Sequence, residues 1–429
     1  INSGLKTLLA DGSIDLTSGE PILLSSVKLD KFRINAFSPL GKNVLSQIRG
    51  FASGEATLSG NLSNPYIDGE ITLVESGIQL PYLNVNYDFL GESVVKLYDH
   101  TFDFQDFQVM DRAMNTTGRI SGTISHEKFK KWEMDLTLTT DNLLVLNTKD
   151  HEGALYYGTG LLGGRTTLKG YTDDLVINVR GTTNPGTEFI VPLGNVSTVN
   201  SSKLIHFDLN VESEDEEEKK KEIVFEKLKG LTLNFNLNVT RDAVAQIVLD
   251  KATGSVLRGS GDGNLALNID TNGKFEMYGE ITVDNGEYQF KNIVNKDFEV
   301  QKGGTIIWEG NPYDAVMDIT AINYTRANPS VLLDEIASSR KIDVELYTMI
   351  SGKLSAPNLD FDVKIPNASS VVANELQFKM RTEDVRLTQF FSLLATGSFA
   401  RTNNNKKGFD GNAAMAGTLA QKASQLLSN

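Results

Sequence analysis

The sequence contains no cysteine among its 429 residues. It therefore has no disulfide framework, no thiolate metal site and no cysteine nucleophile. Histidine is scarce as well, and the residues His100, His126, His151 and His206 do not have the spacing of metal-binding motifs. We therefore expect neither a metal centre nor a cofactor.

Long apolar runs and an excess of positive charge are also missing. No stretch reaches the roughly 18 uninterrupted apolar residues that a membrane-spanning helix needs. The chain begins at Ile1 without an initiator methionine or a signal peptide, so we interpret it as a fragment or mature portion with any anchor upstream. The formal net charge is −14, which disfavours nucleic acid and anionic membrane surfaces as partners.

The glycine-rich segments 158–167 and 259–264 resemble phosphate-binding loops only superficially. Neither ends in Lys-Ser or Lys-Thr and neither leads into a helix, so turn glycines are the better interpretation. Carboxylates are abundant, as in segment 102–107, but alternation along a strand places aspartate on a polar face without any catalytic purpose. No Ser-His-Asp order stands out from this background. We predict that the protein is not an enzyme.

The stretch LTLNFNLNVT, residues 231–240, shows what the chain does contain. Alternate residues of a strand point to opposite faces, so one face is entirely apolar and the other is polar but uncharged. Burying five such apolar side chains is worth roughly 1.5–3 kcal/mol each. The apolar face therefore has to be covered.

The same alternation recurs from end to end, with turn residues between the apolar stretches. The clearest further examples are 54–73 with a turn at Asn64-Pro65, 131–140, 263–290, 342–354 and 358–366. At about 8–12 residues per strand and turn, the chain would form on the order of 30 strands. With neighbouring strands about 4.8 Å apart, the sheet would be well over 100 Å long.

Two Asn-Gly pairs, Asn272-Gly273 and Asn285-Gly286, are strong signals for hairpin turns. We expect the chain to reverse direction at both. The segment 263–290 then forms a meander of short strands.

Helices are scarce, and the two candidates, at 383–397 and 412–427, lie at the end of the chain. They are too few to cover such a sheet, so another stretch of sheet or a non-protein molecule has to do so. The acidic and basic block 212–222 is typical of a solvated loop, and 401–408 is typical of a linker. We divide the chain into a sheet region at 1–150, a second at 151–382 and a helical segment at 383–429.

The apolar stripes have a second interpretation, in which two sheets of a β-sandwich bury each other. Against it stand irregular strand lengths and an aliphatic face that continues for most of the chain. A single long curled sheet, apolar inside and polar outside, explains both features. We therefore predict an all-β, elongated fold with short C-terminal helices.

From about residue 150 onward the sequence resembles the C-terminal part of the TamB family, in a form similar to that of Bacteroidota. The resemblance includes a strand that ends in Trp308 before a Gly-Asn-Pro-Tyr-Asp motif. The matching segments, in order, are 156–195, 242–290, 303–324, 350–366 and 388–399.

The resemblance implies a β-taco, an elongated sheet folded lengthwise into a groove with an aliphatic lining. It implies a periplasmic protein that bridges the inner and outer membranes, anchored to the inner membrane by a helix upstream of this sequence. The C-terminal end would meet an outer-membrane barrel protein of the Omp85 type. It also implies movement of phospholipid toward the outer membrane and assembly of outer-membrane proteins, and a likeness to AsmA-like and bridge-like lipid-transfer proteins.

The candidate lining of this groove consists of inward-facing strand positions chosen by parity. Which face is concave is inferred, because a one-residue slip in register would invert the assignment. Moving an acyl chain of about 16 carbons into water costs on the order of 13 kcal/mol at about 0.8 kcal/mol per CH₂, and such a lining removes most of that cost. The positions are Leu231, Leu233, Phe235, Leu237, Val239, Leu265, Leu267, Ile269, Phe275, Met277, Ile281, Val283, Met317, Ile319, Leu359, Phe361 and Val363.

Our leading hypothesis is a passive periplasmic conduit for the acyl chains of phospholipids. The main alternative is a scaffold whose strand edges template outer-membrane β-barrel proteins by β-augmentation. A third is an extracellular β-rich passenger or adhesin without cargo. For segment 388–429 we hold open both contact with the outer-membrane partner and a cap that plugs the end of the groove.

Overall fold

The structure is a computed structural model that describes twelve ranges of the chain: 7–17, 19–36, 46–151, 154, 156–192, 230–250, 254–270, 274–291, 295–333, 340–401, 417–418 and 421. The block 212–222, the Asn272-Gly273 pair, nearly all of the linker 401–408 and most of the helix predicted at 412–427 lie outside these residues.

The described residues form 21 strands in one sheet. The strands are β1 (Leu8–Asp15), β2 (Ile22–Arg33), β3 (Ser46–Asn61), β4 (Tyr66–Leu80), β5 (Val85–Phe89), β6 (Ser93–Tyr98), β7 (Thr101–Asp111), β8 (Thr117–Glu127), β9 (Lys131–Thr148), β10 (Tyr157–Tyr171), β11 (Asp174–Thr183), β12 (Glu188–Pro192), β13 (Leu231–Val239), β14 (Val244–Asp250), β15 (Ser255–Asp270), β16 (Phe275–Phe290), β17 (Lys296–Val300), β18 (Thr305–Gly310), β19 (Val316–Ala327), β20 (Ile342–Lys353) and β21 (Ala356–Lys364). The all-β, elongated fold is confirmed.

Strands follow one another across the sheet nearly in chain order. Four positions hold two short strands end to end, namely β5 with β6, β11 with β12, β13 with β14 and β17 with β18, so the 21 strands fill 17 positions. At about 4.8 Å per position the described sheet is roughly 80 Å long. In the described residues the strands are longer than the 8–12 residues per strand and turn assumed in the sequence analysis, and single strands reach 18 residues, as in β9.

Almost every neighbouring pair is antiparallel, with one exception in the middle of the sheet. There β11 pairs with β13 and β12 pairs with β14 in parallel. Parallel pairing in register places like residues side by side, and Asn234 Nδ2 donates to Asn178 Oδ1 at 3.0 Å on the polar face. The polar, uncharged face of 231–240 therefore contributes to the parallel pairing of β13 with β11.

The long strands carry irregularities near their middle, where the pairing shifts register. In β10 a shift lies between Leu162 and Gly164, and in β15 one lies between Ser260 and Gly261. Such bulges bend a strand and increase its local twist. The four positions that hold two short strands have their gap at the same level as these bulges in the long strands. The bends and gaps therefore follow one line across the strands, and the sheet folds lengthwise along it.

One turn prediction was wrong for this reason. Asn285-Gly286 lies inside β16, which continues to Phe290 without reversing. The extra residue of the bulge lies in β16 itself, directly before the pair: Ser260 aligns with Asn285 and Gly261 with Val283, which leaves Asp284 without an aligned residue in β15. An Asn-Gly pair accommodates unusual backbone geometry in a bulge as well as in a hairpin turn.

Two α-helices follow the last strand: α1 (Ser370–Lys379) and α2 (Glu383–Thr396). The Ser369 side chain caps α1 by accepting from the backbone N–H of Val372, and α2 ends at Gly397 in the left-handed conformation. Among the described residues, no helix combines the length and the apolar character that crossing a membrane requires.

The sheet continues across residue 150, where the sequence analysis divided the chain into two sheet regions. Strands β9 and β10 are paired along most of their length, so the sheet crosses residue 150 without interruption. Helix α1 lies before residue 383, inside the range assigned to the second sheet region. The sheet is one continuous body in the described residues, and its helical end begins at Ser370.

Candidate functional site

The inner faces of the two halves of the folded sheet line one cavity of about 620 Å³, with lining residues from Ile34 to Leu354. Most of its lining side chains are aliphatic or aromatic, with a few threonines and single polar residues such as Gln246 and Ser260 among them. One long strand can line both sides of the cavity. In β15, Leu257 precedes the register shift at Ser260 and Leu267 follows it, and both side chains line the cavity. The cavity is therefore a lengthwise groove, called the apolar groove below.

Most of the residues predicted from parity lie in this groove. Strand β13 shows why, because its alternate side chains are in the groove while Asn236 and Asn238 between them are exposed. The predicted residues found in the lining are Leu231, Leu233, Phe235, Leu237, Val239, Leu265, Leu267, Ile269, Phe275, Met277, Ile281, Val283 and Ile319.

Four predicted residues are placed elsewhere. Met317, Phe361 and Val363 are buried in the core that the C-terminal helices complete, and Leu359 packs against that core. These four side chains therefore share one apolar cluster. The sequence did not show that helix α2 covers this part of the inner face.

Helix α2 fills the C-terminal end of the groove. Phe390 is fully buried, with its ring 4.6 Å from that of Phe361 and 6.3 Å from that of Phe298. Gln389 fixes the chain after the helix, because its side chain both donates to and accepts from the backbone of Ala400 at 2.9 Å. Of the two roles considered for 388–429, the described part, up to residue 401, is arranged as a cap.

The sequence analysis expected residues 1–150 to form part of the sheet that makes the groove, but it named no lining residue among them. Phe89, Phe104 and Ile120 line it there, and a buried cluster around Val109 and Leu143 packs beside them. The alternation of β7 and β8 carried the necessary signal. A bulge between Gln105 and Phe107 interrupts it, which shifts the parity within β7.

Tyrosines Tyr82 and Tyr156 form a contact that no sequence pattern indicated. Tyr82 lies in the turn between β4 and β5, Tyr156 precedes β10, and their hydroxyl oxygens are 2.9 Å apart. Burial raises the pKa of Tyr82, and burial together with the neighbouring Tyr82 raises that of Tyr156 well above its ordinary value. Both side chains line the groove, and they place a hydrogen-bonded polar pair in a mostly apolar interior.

An aromatic cluster lies at the strand ends around the turn that joins β8 to β9. The ring of His126 stacks on Phe129 at 3.9 Å and lies 5.1 Å from Trp132 and 5.6 Å from His100. The Nε2 atom of His126 is buried without a hydrogen-bond partner. Burial, and secondarily the nearby His100, lowers the pKa of His126 below its ordinary 6.5. The cluster therefore favours the neutral form of this histidine.

A charged network joins the N-terminal strands. The Asp88 carboxylate of β5 accepts from Arg49 of β3 and from Arg112, whose Nε lies 2.6 Å from Asp88 Oδ2. Partial burial raises the pKa of Asp88, but the two guanidinium groups outweigh this and hold it below its ordinary value. In the part of the chain that the structure describes, no three histidine or carboxylate side chains converge as metal ligands would.

A protein-family model matches most of the chain. The family model described as TamB C-terminal domain matches residues 105–429, which is well over half of the chain and extends from β7 through both helices. A search of the curated proteins finds no match. This family is associated with the Gram-negative envelope and with outer-membrane protein assembly and lipid transport. The chain belongs to the TamB family.

Proposed function

We propose that the protein is a passive conduit for the acyl chains of phospholipids, without catalytic activity, between the inner and outer membranes. It acts in the periplasm, anchored to the inner membrane by a helix outside this sequence and docked on an Omp85-type barrel protein of the outer membrane. The single observation that supports this most strongly is the apolar groove, which runs along the sheet from Ile34 to Leu354.

The chemistry of the groove suits acyl chains better than other ligands. A typical small-molecule site combines an apolar pocket with a few convergent polar groups that fix one orientation. The apolar groove has few such groups besides the hydroxyls of Tyr82 and Tyr156, so it binds mainly by removing methylene groups from water at about 0.8 kcal/mol each. An acyl chain held in this way is free to slide, because no directional bond has to break.

The direct test is chemical. The chain is purified without detergent from a Gram-negative host, and its lipids are extracted and identified by mass spectrometry. A conduit yields phospholipid in near-stoichiometric or higher amounts, and it transfers labelled phosphatidylethanolamine between vesicles. A pure chain that carries no phospholipid and transfers none contradicts the proposal.

The alternative scaffold would use the free edges of the sheet. In the described residues β1 and β21 are the two edge strands, and every residue of β1 is exposed. At β21, however, the backbone N–H groups of Phe361 and Val363 donate to the carboxylates of Asp360 and Asp362, at 2.8 and 2.9 Å. These N–H groups are therefore occupied by the strand's own side chains, which disfavours templating at this edge.

A variant at this edge separates the two functions. Asp362→Ala frees the Val363 N–H and leaves in place Asp360, which pairs with Arg386 of helix α2 at 3.5 Å. A conduit keeps its rate of lipid transfer, whereas a scaffold at this edge gains affinity for an unfolded β-barrel protein. If the variant binds the unfolded β-barrel protein more tightly while its circular dichroism spectrum is unchanged, the ranking of the two functions is reversed.

A further inference from the structure

The groove has two rims, which are the ends of the strands on its two sides. The first rim includes the turn between β4 and β5, the end of β9 and the start of β10, since Asn147 N donates to Leu83 O there at 2.9 Å and residue 148 pairs with residue 158. The second rim includes the starts of β11, β13 and β16 and the end of β15, which pair in register.

Aromatic side chains of the first rim reach the second. Tyr82 packs against the cluster of Leu175, Leu231 and Leu233, which lies where β11 and β13 begin. The ring of Tyr156 lies 6.1 Å from that of Phe275, the first residue of β16. The two rims therefore touch at this position.

The tyrosines also support each other. The hydrogen bond between their hydroxyls links the turn after β4 to the start of β10. Tyr156 stacks on Phe189 of β12 at 5.2 Å, which orients its ring toward the opposite rim. The groove continues beneath this contact, because its lining includes residues on both sides of it, from Leu73 to Ile306.

We propose that Tyr82, Tyr156 and Phe275 form a bridge over the groove that determines which lipids move along it. The inference rests on the proposed conduit. Where the mouth is open, a phospholipid keeps its polar head group in water while its acyl chains slide below. At the bridge the path of the head group is interrupted. A single acyl chain lies beneath the bridge undisturbed, whereas a phospholipid passes only when the rims separate.

The chain has no cysteine, so an introduced pair is the only target of a thiol cross-linker. Tyr156→Cys with Phe275→Cys allows a short bis-maleimide to tie the two rims together. The matched control is Thr232→Cys with Asp270→Cys, two aligned residues that are linked within the second rim and do not line the groove. Two properties are measured for each linked and unlinked variant: transfer of labelled phosphatidylethanolamine between vesicles, and binding of labelled palmitic acid.

We expect the linked rim-to-rim variant to transfer phosphatidylethanolamine at least tenfold more slowly than the same variant before linking. Its binding of palmitic acid stays within twofold of the unlinked value. The linked control keeps its transfer rate within twofold. Circular dichroism shows that all variants are folded.

Two results would overturn the bridge while leaving the conduit intact. One is an unchanged transfer rate after the rims are linked, and the other is an equal loss in the control. A parent chain that neither binds nor transfers phospholipid overturns the conduit, and the bridge with it.

Discussion

A charge in the middle of the apolar groove is the sharpest test of the lining. Leu267 is 9% exposed, lies in the groove, and is aligned with Phe235 on one neighbouring strand and with Met277 on the other. In the variant Leu267→Arg, a hydrated guanidinium replaces the apolar side chain that β15 contributes to the groove wall at this level. An acyl chain at that position then loses its apolar contact.

The magnitude follows from two spacings. Adjacent strands are about 4.8 Å apart, and an extended chain advances about 1.2 Å per bond, since three backbone bonds span about 3.3–3.6 Å. One strand position therefore faces about four methylene groups, worth about 3 kcal/mol at 0.8 kcal/mol each. Because 1.4 kcal/mol corresponds to a factor of ten, phospholipid transfer should fall roughly 200-fold.

The assay measures transfer of labelled phosphatidylethanolamine between vesicles, with circular dichroism to check the fold. The control is Asn264→Arg, an exposed position on the outer face of the same strand that is aligned with Glu280. The control should transfer at the parent rate. If folded Leu267→Arg also transfers within twofold of the parent, the groove lining is not the path of the lipid.

Three further predictions concern stability. Phe390→Ala should lower the free energy of unfolding by about 3–5 kcal/mol, measured by urea denaturation, whereas the control Phe378→Ala, at a 63% exposed position, should change it little. The free energy of unfolding should fall as the pH drops below 6.5, because His126 then binds a proton more readily in the unfolded state than in the folded state. The variant His126→Phe should flatten this pH dependence, which denaturant titrations at several pH values measure. Asp88→Asn should cost about 1 kcal/mol at pH 7, and a melting temperature equal to that of the parent would contradict the role of its ion pairs.

Local pattern predicted much of the fold, because alternation along a strand depends only on neighbouring residues. It placed the inner face of β13 and β15 and the turn between β3 and β4 correctly. It misjudged Asn285-Gly286, because a bulge depends on the opposite strand, which the local sequence does not contain. The prediction of strand length failed for the same reason, because one long bent strand and two short strands have similar local sequence patterns.

The groove was partly predictable and the contacts across it were not. Residues such as Phe235 could be assigned from parity because one apolar face implies one buried side. Tyr82 and Tyr156 are 74 positions apart in sequence, and their contact exists only because the sheet folds lengthwise. The burial of Phe361 likewise depends on a helix that follows later in the chain. These features come from tertiary packing rather than from the period of a strand.

The aspartates of the last strand limit the growth of the sheet itself. A long sheet with an open edge invites a second molecule to add its own strand, and repeated addition would produce fibres. At β21 two successive outward N–H groups are already bonded to Asp360 and Asp362, so an incoming strand would meet negative charge in place of free donors. The edge formed by β21 therefore disfavours the addition of further molecules, so that the described sheet of seventeen positions does not grow into a fibre from this side.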